Sequence, residues 1–322
     1  MRKKVKYLDW WNGFDPYQYR IHQILSKHFD VEISDDPDYV ICSVYSKEFY
    51  KYDCIRIFYT GENFCPDFNL FDYAIGFEYL EYGDRYIRCP NYLMNPAYDV
   101  DVERMLEKHK VDSDILNEKD EFCSFVCSNG KGNDIRFRFF EELSKYRKVN
   151  SGGRYLNNIG MPEGVPDKYV FQKKHKFSIA FENSSHPGYT TEKLVQAFAA
   201  GTVPIYWGDP LVLHEFNEKA MVIVNGINDI DQAVEKIVEI DNNKDLYLKM
   251  LKETAVCKDE FADIQYKELE NFLVHIFEQP LKEARRRSDG VTVQSYYENF
   301  INNNTEQIKI TNKSLWQRFL RK

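Results

Sequence analysis

The sequence predicts an α/β protein of two domains, and three observations support this. Its 322 residues are enough for two domains of ordinary size. Short apolar strand-like runs alternate with helical patterns or long loops in both halves, the mark of parallel sheets. Residues 177–208 read as a complete strand–loop–helix–strand unit, with their polar residues gathered at the strand end where open α/β sheets bind ligands.

In the first half, Val5–Leu8 is predicted as a strand ending in Asp9-Trp10-Trp11-Asn12-Gly13. Residues 17–28 place Ile21, Ile24 and Leu25 on one side of a helix. Strands are expected at 29–33 and 39–44, split by the turn Asp35-Asp36-Pro37-Asp38. Another is expected at 54–59, running into Thr60-Gly61-Glu62-Asn63, and a further short one at 71–76. Residues 99–120 are rich in Asp, Glu and Lys, with a helical stretch at 102–110, and are expected to join the domains. The predicted domains are 1–118 and 119–300, followed by a basic amphipathic tail at 301–322.

In the second half, a strand is expected at 122–128, a helix at 135–146, a short strand at Val149 and a helix at 168–174. Then comes the central unit, in which 177–181 is a buried strand and polar residues crowd 182–188. Thr190 or Thr191 caps a helix that carries Leu194, Val195, Phe198 and Ala199 at helical spacing. Gly201 is placed to stop it, and Thr202–Tyr206 restarts a strand. Such a helix start suits a phosphate, and Lys193 in its first turn makes sense if an anion docks there. An ordinary βαβ unit with a polar loop is the alternative. A strand at 221–224 and helices at 230–240, 246–256 and 264–277 follow. Arg285-Arg286-Arg287 is expected to be a solvated turn. The tail's Leu315, Trp316, Phe319 and Leu320 predict a docked terminal helix. Membrane-surface attachment through Lys313, Arg318, Arg321 and Lys322 is the alternative.

Composition removes several function classes. The net charge of −8, with no long basic block, argues against a general nucleic-acid binder. No run of about 18 apolar residues exists, so no transmembrane helix is expected. Met1-Arg2-Lys3-Lys4 is basic, but the following apolar run is interrupted by Asp9, too soon for a signal-peptide core. The seven cysteines form no CxxC pair and are expected to be reduced, mostly buried and not zinc ligands, in a cytoplasmic protein. Cys123 and Cys127 are expected on one side of a strand. No P-loop, dinucleotide fingerprint, nucleophile elbow or HExxH motif occurs. The one Asp-x-Asp, Asp99-Val100-Asp101, is expected to be solvated.

Phe181-Glu182-Asn183-Ser184, Gly188-Tyr189-Thr190-Thr191-Glu192-Lys193 and Pro204-Ile205-Tyr206-Trp207-Gly208 closely resemble the donor-binding motif of the bacterial and animal α-1,3-fucosyltransferases of Lewis-antigen type. Upstream, Phe58-Tyr59-Thr60-Gly61-Glu62-Asn63 and the run 68–77 resemble the acceptor-domain signature of the bacterial branch. Residues 84–90, 125–129 with Ile135-Arg136, and 151–153 fit as well, so matches extend over roughly residues 5 to 225 in the family's order.

The resemblance implies a GT-B architecture, with two Rossmann-like domains facing across a cleft, the first for the acceptor and the second for GDP-fucose. It implies GDP-fucose as co-substrate, no required cofactor, and inversion at the sugar carbon. Divalent-metal stimulation stays open, although no metal motif is present. By the same resemblance Glu62 is the general base, where the bland reading is a loop glutamate. Arg136 and Lys193 are the diphosphate ligands, in a position where fixed cations lower the barrier. Glu192 binds the ribose hydroxyls, Asn183 and Tyr189 contact phosphate or sugar, and Glu182 faces the fucose. His186 is read as a variable loop residue.

Trp10 or Trp11 could stack on the acceptor sugar, or both could be core. The expected acceptor is a Galβ1,4GlcNAc-type glycan fucosylated at the 3-OH, giving a Lewis x-type product, with 1,4 transfer to Lewis a as a variant. Peripheral attachment at the inner face of the membrane through the tail is an alternative to a wholly cytoplasmic location. Two rival readings stay open: a GT-B enzyme with another nucleotide sugar, and a non-catalytic nucleotide- or glycan-binding protein.

Overall fold

The computed structural model describes residues 2–107, 118–258, 260–288 and 293–303. It divides into two compact units. Among the described residues, the first holds 2–76, 80–87, 269–288 and 293–303; the second holds 77–79, 88–107, 118–258 and 260–268.

The first unit is built on strands β1 (Arg2–Leu8), β2 (Asp30–Ile33), β3 (Tyr39–Cys42), β4 (Ile55–Tyr59), β5 (Tyr73–Gly76) and β6 (Tyr86–Arg88), in the order β2-β1-β3-β4-β5-β6. The pairings from β2 through β5 are parallel. Strands β3, β4 and β5 are buried at every residue, which is why, Arg56 in β4 apart, they read as apolar runs without alternation. The predicted helix is there as Arg20–His28, with Ile21, Ile24 and Leu25 inward.

The second unit carries β7 (Glu121–Phe125), β8 (Val149–Ser151), β9 (His175–Phe181), β10 (Val203–Trp207) and β11 (Val222–Ile223). All pair in parallel, in the order β11-β10-β9-β7-β8. Helices Ile135–Tyr146, Glu192–Ala199 and Ile230–Asn242 cover this sheet with apolar faces. Phe139, Leu194, Val195 and Ile237 are among the fully buried residues. Gly201 ends the helix Glu192–Ala199 at φ +63, a conformation open to glycine without strain.

Both sheets share one topological feature. The chain leaves β1 to pair with β2 and then crosses back to pair β3 on β1's other side. It does the same with β7, β8 and β9. Connections therefore depart in opposite directions from the carboxyl ends of β1 and β3, and of β7 and β9. Such switch points open a crevice above the sheet edge. In the first unit Asp9–Trp11 and the loop after Cys42 lie there; in the second, residues 126–134 and 182–191.

Several expectations are corrected. Strand β7 stops at Phe125, so Cys127 sits in the loop beyond it rather than beside Cys123 on a strand face. The acid-rich stretch is not a junction up to Leu106: Asp99–Leu106 is a helix of the second unit, burying Val102 and Met105. Its Asp101 accepts from Gln196 Nε2 at 3.0 Å, so it is not merely solvated. Residues 269–303 belong to the first unit, not the second. There Phe277 stacks on Tyr39 at 4.1 Å, and Tyr297 donates to Asp67 at 2.6 Å. The tail expected beyond residue 303 lies outside the described residues.

Arg285-Arg286-Arg287 is likewise no solvated turn. Arg285 pairs with Asp53, Arg286 with Asp84, and Arg287 with Asp72. Asp72 is wholly buried and accepts from the Arg56, Arg286 and Arg287 amides at 2.8–2.9 Å and from Arg287 Nε at 3.0 Å. A run of three cations looks solvated in sequence because its carboxylate partners lie some 200 residues upstream. Arg287→Ala should cost about 3–5 kcal/mol, the usual range for breaking a buried pair from one side. Urea denaturation followed by circular dichroism measures this, and an unchanged midpoint would contradict the docking role.

Candidate functional site

In the second unit the site begins where β9 ends. Glu182 has no exposed surface. Its Oε1 accepts from the Thr191 amide at 2.8 Å, and its Oε2 from the Thr191 hydroxyl at 2.7 Å and Lys193 Nζ at 3.1 Å. Gly208 at the end of β10 makes room for it: a Cβ there would meet Glu182 Cγ at 2.4 Å. Thr191, not Thr190, is the helix cap, and its hydroxyl also accepts from Lys193 Nζ at 2.9 Å. Thr190 turns the other way, to Asp209 Oδ2 at 3.0 Å. Asp209 is buried and also accepts from the Gly188 and Leu211 amides at 2.7 Å. Two buried carboxylates, one from each neighbouring strand end, thus pin the loop from both sides. A cavity of about 140 Å³ lies beside it, lined in part by Ser185, Trp207, Gly208, Asp209 and Asn225.

The charges at the helix start are interdependent. Burial pushes the Glu182 carboxyl up, with Lys193 opposing. Burial disfavours the Lys193 ammonium, but Glu182 and Glu192 outweigh it and hold the lysine charged. Burial also opposes ionisation of Glu192, yet Lys193 and Lys168 bring its carboxyl below the ordinary value. Lys168 donates to Gln196 Oε1 at 2.6 Å, and burial pushes its ammonium down.

Arg136 enters from the first turn of the helix after β7 and is 1% exposed. Its Nη1 donates to Asn183 Oδ1 at 3.0 Å and lies 3.2 Å from Cys127 Sγ, while its Nη2 donates to the Asn129 carbonyl at 2.9 Å. The buried Nε has no hydrogen-bond partner. Among the described residues no carboxylate pairs with this guanidinium. The loop before it closes tightly: a Cβ on Gly132 would fall 1.8 Å from Arg136 Nη2. A buried cation held only by neutral groups is a place for an anion.

In the first unit Glu62 follows β4 and is exposed. Its Oε1 accepts from the Tyr45 hydroxyl at 3.0 Å, and its amide donates to Thr60 Oγ1 at 3.1 Å. Trp10 is committed to packing: its ring stacks on Phe14 at 4.0 Å and its Nε1 donates to the Ile41 carbonyl at 3.0 Å. Trp11 is 39% exposed and available to a ligand.

The structure therefore brings Arg136, Glu182, Asn183, Glu192 and Lys193 together at one switch point, by hydrogen bonds or ion pairs that link each to another. Tyr189 is buried in the same loop with its ring 5.0 Å from Phe77. Glu62 and Trp11 lie on loops of the first unit's own switch point or the strand beside it. Both oxygens of Glu182 are taken by protein donors, so its visible work is to set Thr191 and Lys193. Sequence reasoning missed Asp209, Lys168, Cys127 and Tyr45. Asp209 alone carried a signal, as an acidic residue directly after a buried strand and a glycine. The partners of the others are set by crossovers.

Known proteins resemble this chain over most of its length. Residues 5–95 match the family model of the α-(1,3)-fucosyltransferase FucT N-terminal domain, and residues 116–273 match that of the glycosyltransferase family 10 (fucosyltransferase) C-terminal region. The chain is 32% identical over 290 residues to the α-(1,3)-fucosyltransferase FucT of Helicobacter pylori, covering 79% of this chain and 60% of that protein. It is 32% identical over 120 residues to α-(1,3)-fucosyltransferase B of Drosophila melanogaster, covering 34% and 27%. The chain thus spans 60% or less of the length of these curated relatives. A crystal structure of an α1,3-fucosyltransferase with GDP-fucose superposes with a TM-score of 0.74 at 28% identity, over 89% of this chain and 93% of that one. The chain belongs to glycosyltransferase family 10, the fucosyltransferases, and shares the α/β fold of two parallel sheets found in their GT-B crystal structures.

Asp209→Ala would leave the Gly188 and Leu211 amides and the Thr190 hydroxyl without their acceptor. The expected loss of stability is about 1–3 kcal/mol, the cost of orphaning buried donors. Chemical denaturation measures it, and wild-type stability would show that the turn does not lean on Asp209.

Proposed function

We propose that this family 10 member transfers L-fucose from GDP-fucose to a hydroxyl of an acceptor sugar, with inversion at the transferred carbon. The observation that carries this reading is Arg136: a buried guanidinium without a counter-charge, beside a helix start that carries Lys193. A nucleoside diphosphate supplies the anion both groups suit.

In this reading the diphosphate of the donor lies between Arg136 and Lys193. As the sugar–phosphate bond breaks, negative charge grows on the leaving GDP, and these cations are already in place to receive it. Glu182 and Thr191 hold Lys193 at the helix start, so little reorganisation is needed. Glu192, kept ionised by Lys193 and Lys168, accepts hydrogen bonds from the ribose hydroxyls. Asn183 bridges Arg136 to the fucose side of the loop, and Tyr189 closes the loop against the sugar.

Glu62 serves as general base on the acceptor hydroxyl, which attacks the face of the fucose opposite GDP. A β-linked donor then yields an α-linked product. The acceptor is the 3-OH of N-acetylglucosamine in a Galβ1,4GlcNAc-type glycan, with its ring against Trp11. The similar α-1,3-fucosyltransferases, one of them crystallised with GDP-fucose, support this choice of donor and linkage.

Two variants separate the roles. Glu62→Gln should keep GDP affinity while turnover falls at least ~100-fold, the scale of a lost general base. Turnover at the wild-type rate would remove Glu62 from that role. Lys193→Ala should weaken GDP binding about tenfold or more, as expected for a lost charged hydrogen bond, with turnover falling in step. GDP affinity unaffected in a calorimetric titration would refute the phosphate assignment. A glycan-array transfer assay with competing nucleotide sugars, followed by linkage analysis, tests donor and acceptor together.

A further inference from the structure

Just past β1, Asp9 adopts φ +62 and is 6% exposed. Among non-glycine residues, aspartate is one of those that accept this left-handed conformation most readily. Here it fastens a second loop. The Asp9 carboxylate accepts from the Ser46 hydroxyl and from the Glu48 and Phe49 amides at 2.7 and 3.2 Å. Its carbonyl accepts from the Tyr45 amide at 2.9 Å. The segment after β3 is therefore tied by its backbone to the end of β1.

The tie leaves the Tyr45 side chain outside. It is 51% exposed, stands edge-on to Trp11 at 6.2 Å, and donates its hydroxyl to Glu62 Oε1 at 3.0 Å. Desolvation and the neighbouring Glu62 carboxylate push the phenol up to about 12, so it remains a donor throughout the neutral range. Glu62 Oε2 has no hydrogen-bond partner among the described residues.

We propose that Tyr45 is a positioning residue for the base: its hydroxyl fixes the Glu62 carboxylate through Oε1 and presents Oε2 to the acceptor hydroxyl. This rests on the reading of Glu62 as base. An exposed glutamate on a loop has three free side-chain torsions, and holding it in one rotamer costs conformational entropy unless a partner does so beforehand. Tyr45 is that partner, and Asp9 sets Tyr45. In the step itself the acceptor O–H proton passes to Oε2 as the acceptor oxygen bonds to fucose C1. The C1–phosphate oxygen bond breaks and GDP leaves with the electron pair. Tyr45 keeps its own proton and touches neither reactant.

Tyr45→Phe keeps the ring against Trp11 and removes only the hydroxyl. Turnover should fall about tenfold, the scale of a hydrogen bond to a charged group, with KM for GDP-fucose, GDP affinity and unfolding midpoint unchanged. A packing role would leave turnover unchanged, and that result overturns the proposal. Adding Tyr45→Phe to Glu62→Gln should lower turnover no further, since the two act as one unit. A further tenfold loss in the double variant would mean that Tyr45 acts independently of Glu62, which also overturns it. If Glu62→Gln alone retains wild-type turnover, it is the base assignment that fails, and Tyr45 loses the role with it.

Discussion

The Glu182 carboxylate is the group on which the second unit's site depends. Burying a carboxylate is costly unless its oxygens are paired. Thr191 and Lys193 supply that pairing from the first residues of a helix, while Glu182 belongs to the strand before it. One interaction therefore fixes the spacing between strand end and helix start, caps the helix and aims its only first-turn cation. Asp209, at the end of the adjacent strand, does the same for Gly188 and Thr190. The loop between is short, polar and held at both ends.

The two cations at this site are not equivalent. Lys193 already has two carboxylates, Glu182 and Glu192, so its charge is compensated within the protein. Arg136 has none and is held by Asn183, a carbonyl and a thiol. A ligand anion gains most at the uncompensated charge, while the compensated one provides a fixed direction.

Topology puts this chemistry where it is. In each sheet the chain steps outward from one strand and returns on its other side, so loops diverge from adjacent carboxyl ends. Asp9, Trp11 and Tyr45 come from one such divergence; Arg136, Glu182 and Lys193 come from the other. Neither set is contiguous in sequence. The first unit is also completed by its far end: Arg287 reaches Asp72 across 215 positions, and the helix Val293–Asn303 reaches Arg56 through Glu298.

Much of this was determined by the sequence alone. The α/β class, most strands along the chain, and the helix after Thr191 with Lys193 in its first turn follow from local periodicity and capping, which need no distant partner. Motif resemblance added Glu62, Arg136, Glu182, Asn183, Tyr189 and Glu192. Only the tertiary structure decided that Glu182 faces inward, that Trp10 packs while Trp11 is exposed, and that Tyr45 reaches Glu62. It also decided that Arg285–Arg287 docks and that residues 269–303 belong with the first unit. The reason is the same in each case. A charged or aromatic side chain reads identically whether solvated or buried, and only the partner the fold brings to it, 17 positions away for Tyr45 and Glu62 but 215 for Arg287 and Asp72, settles which.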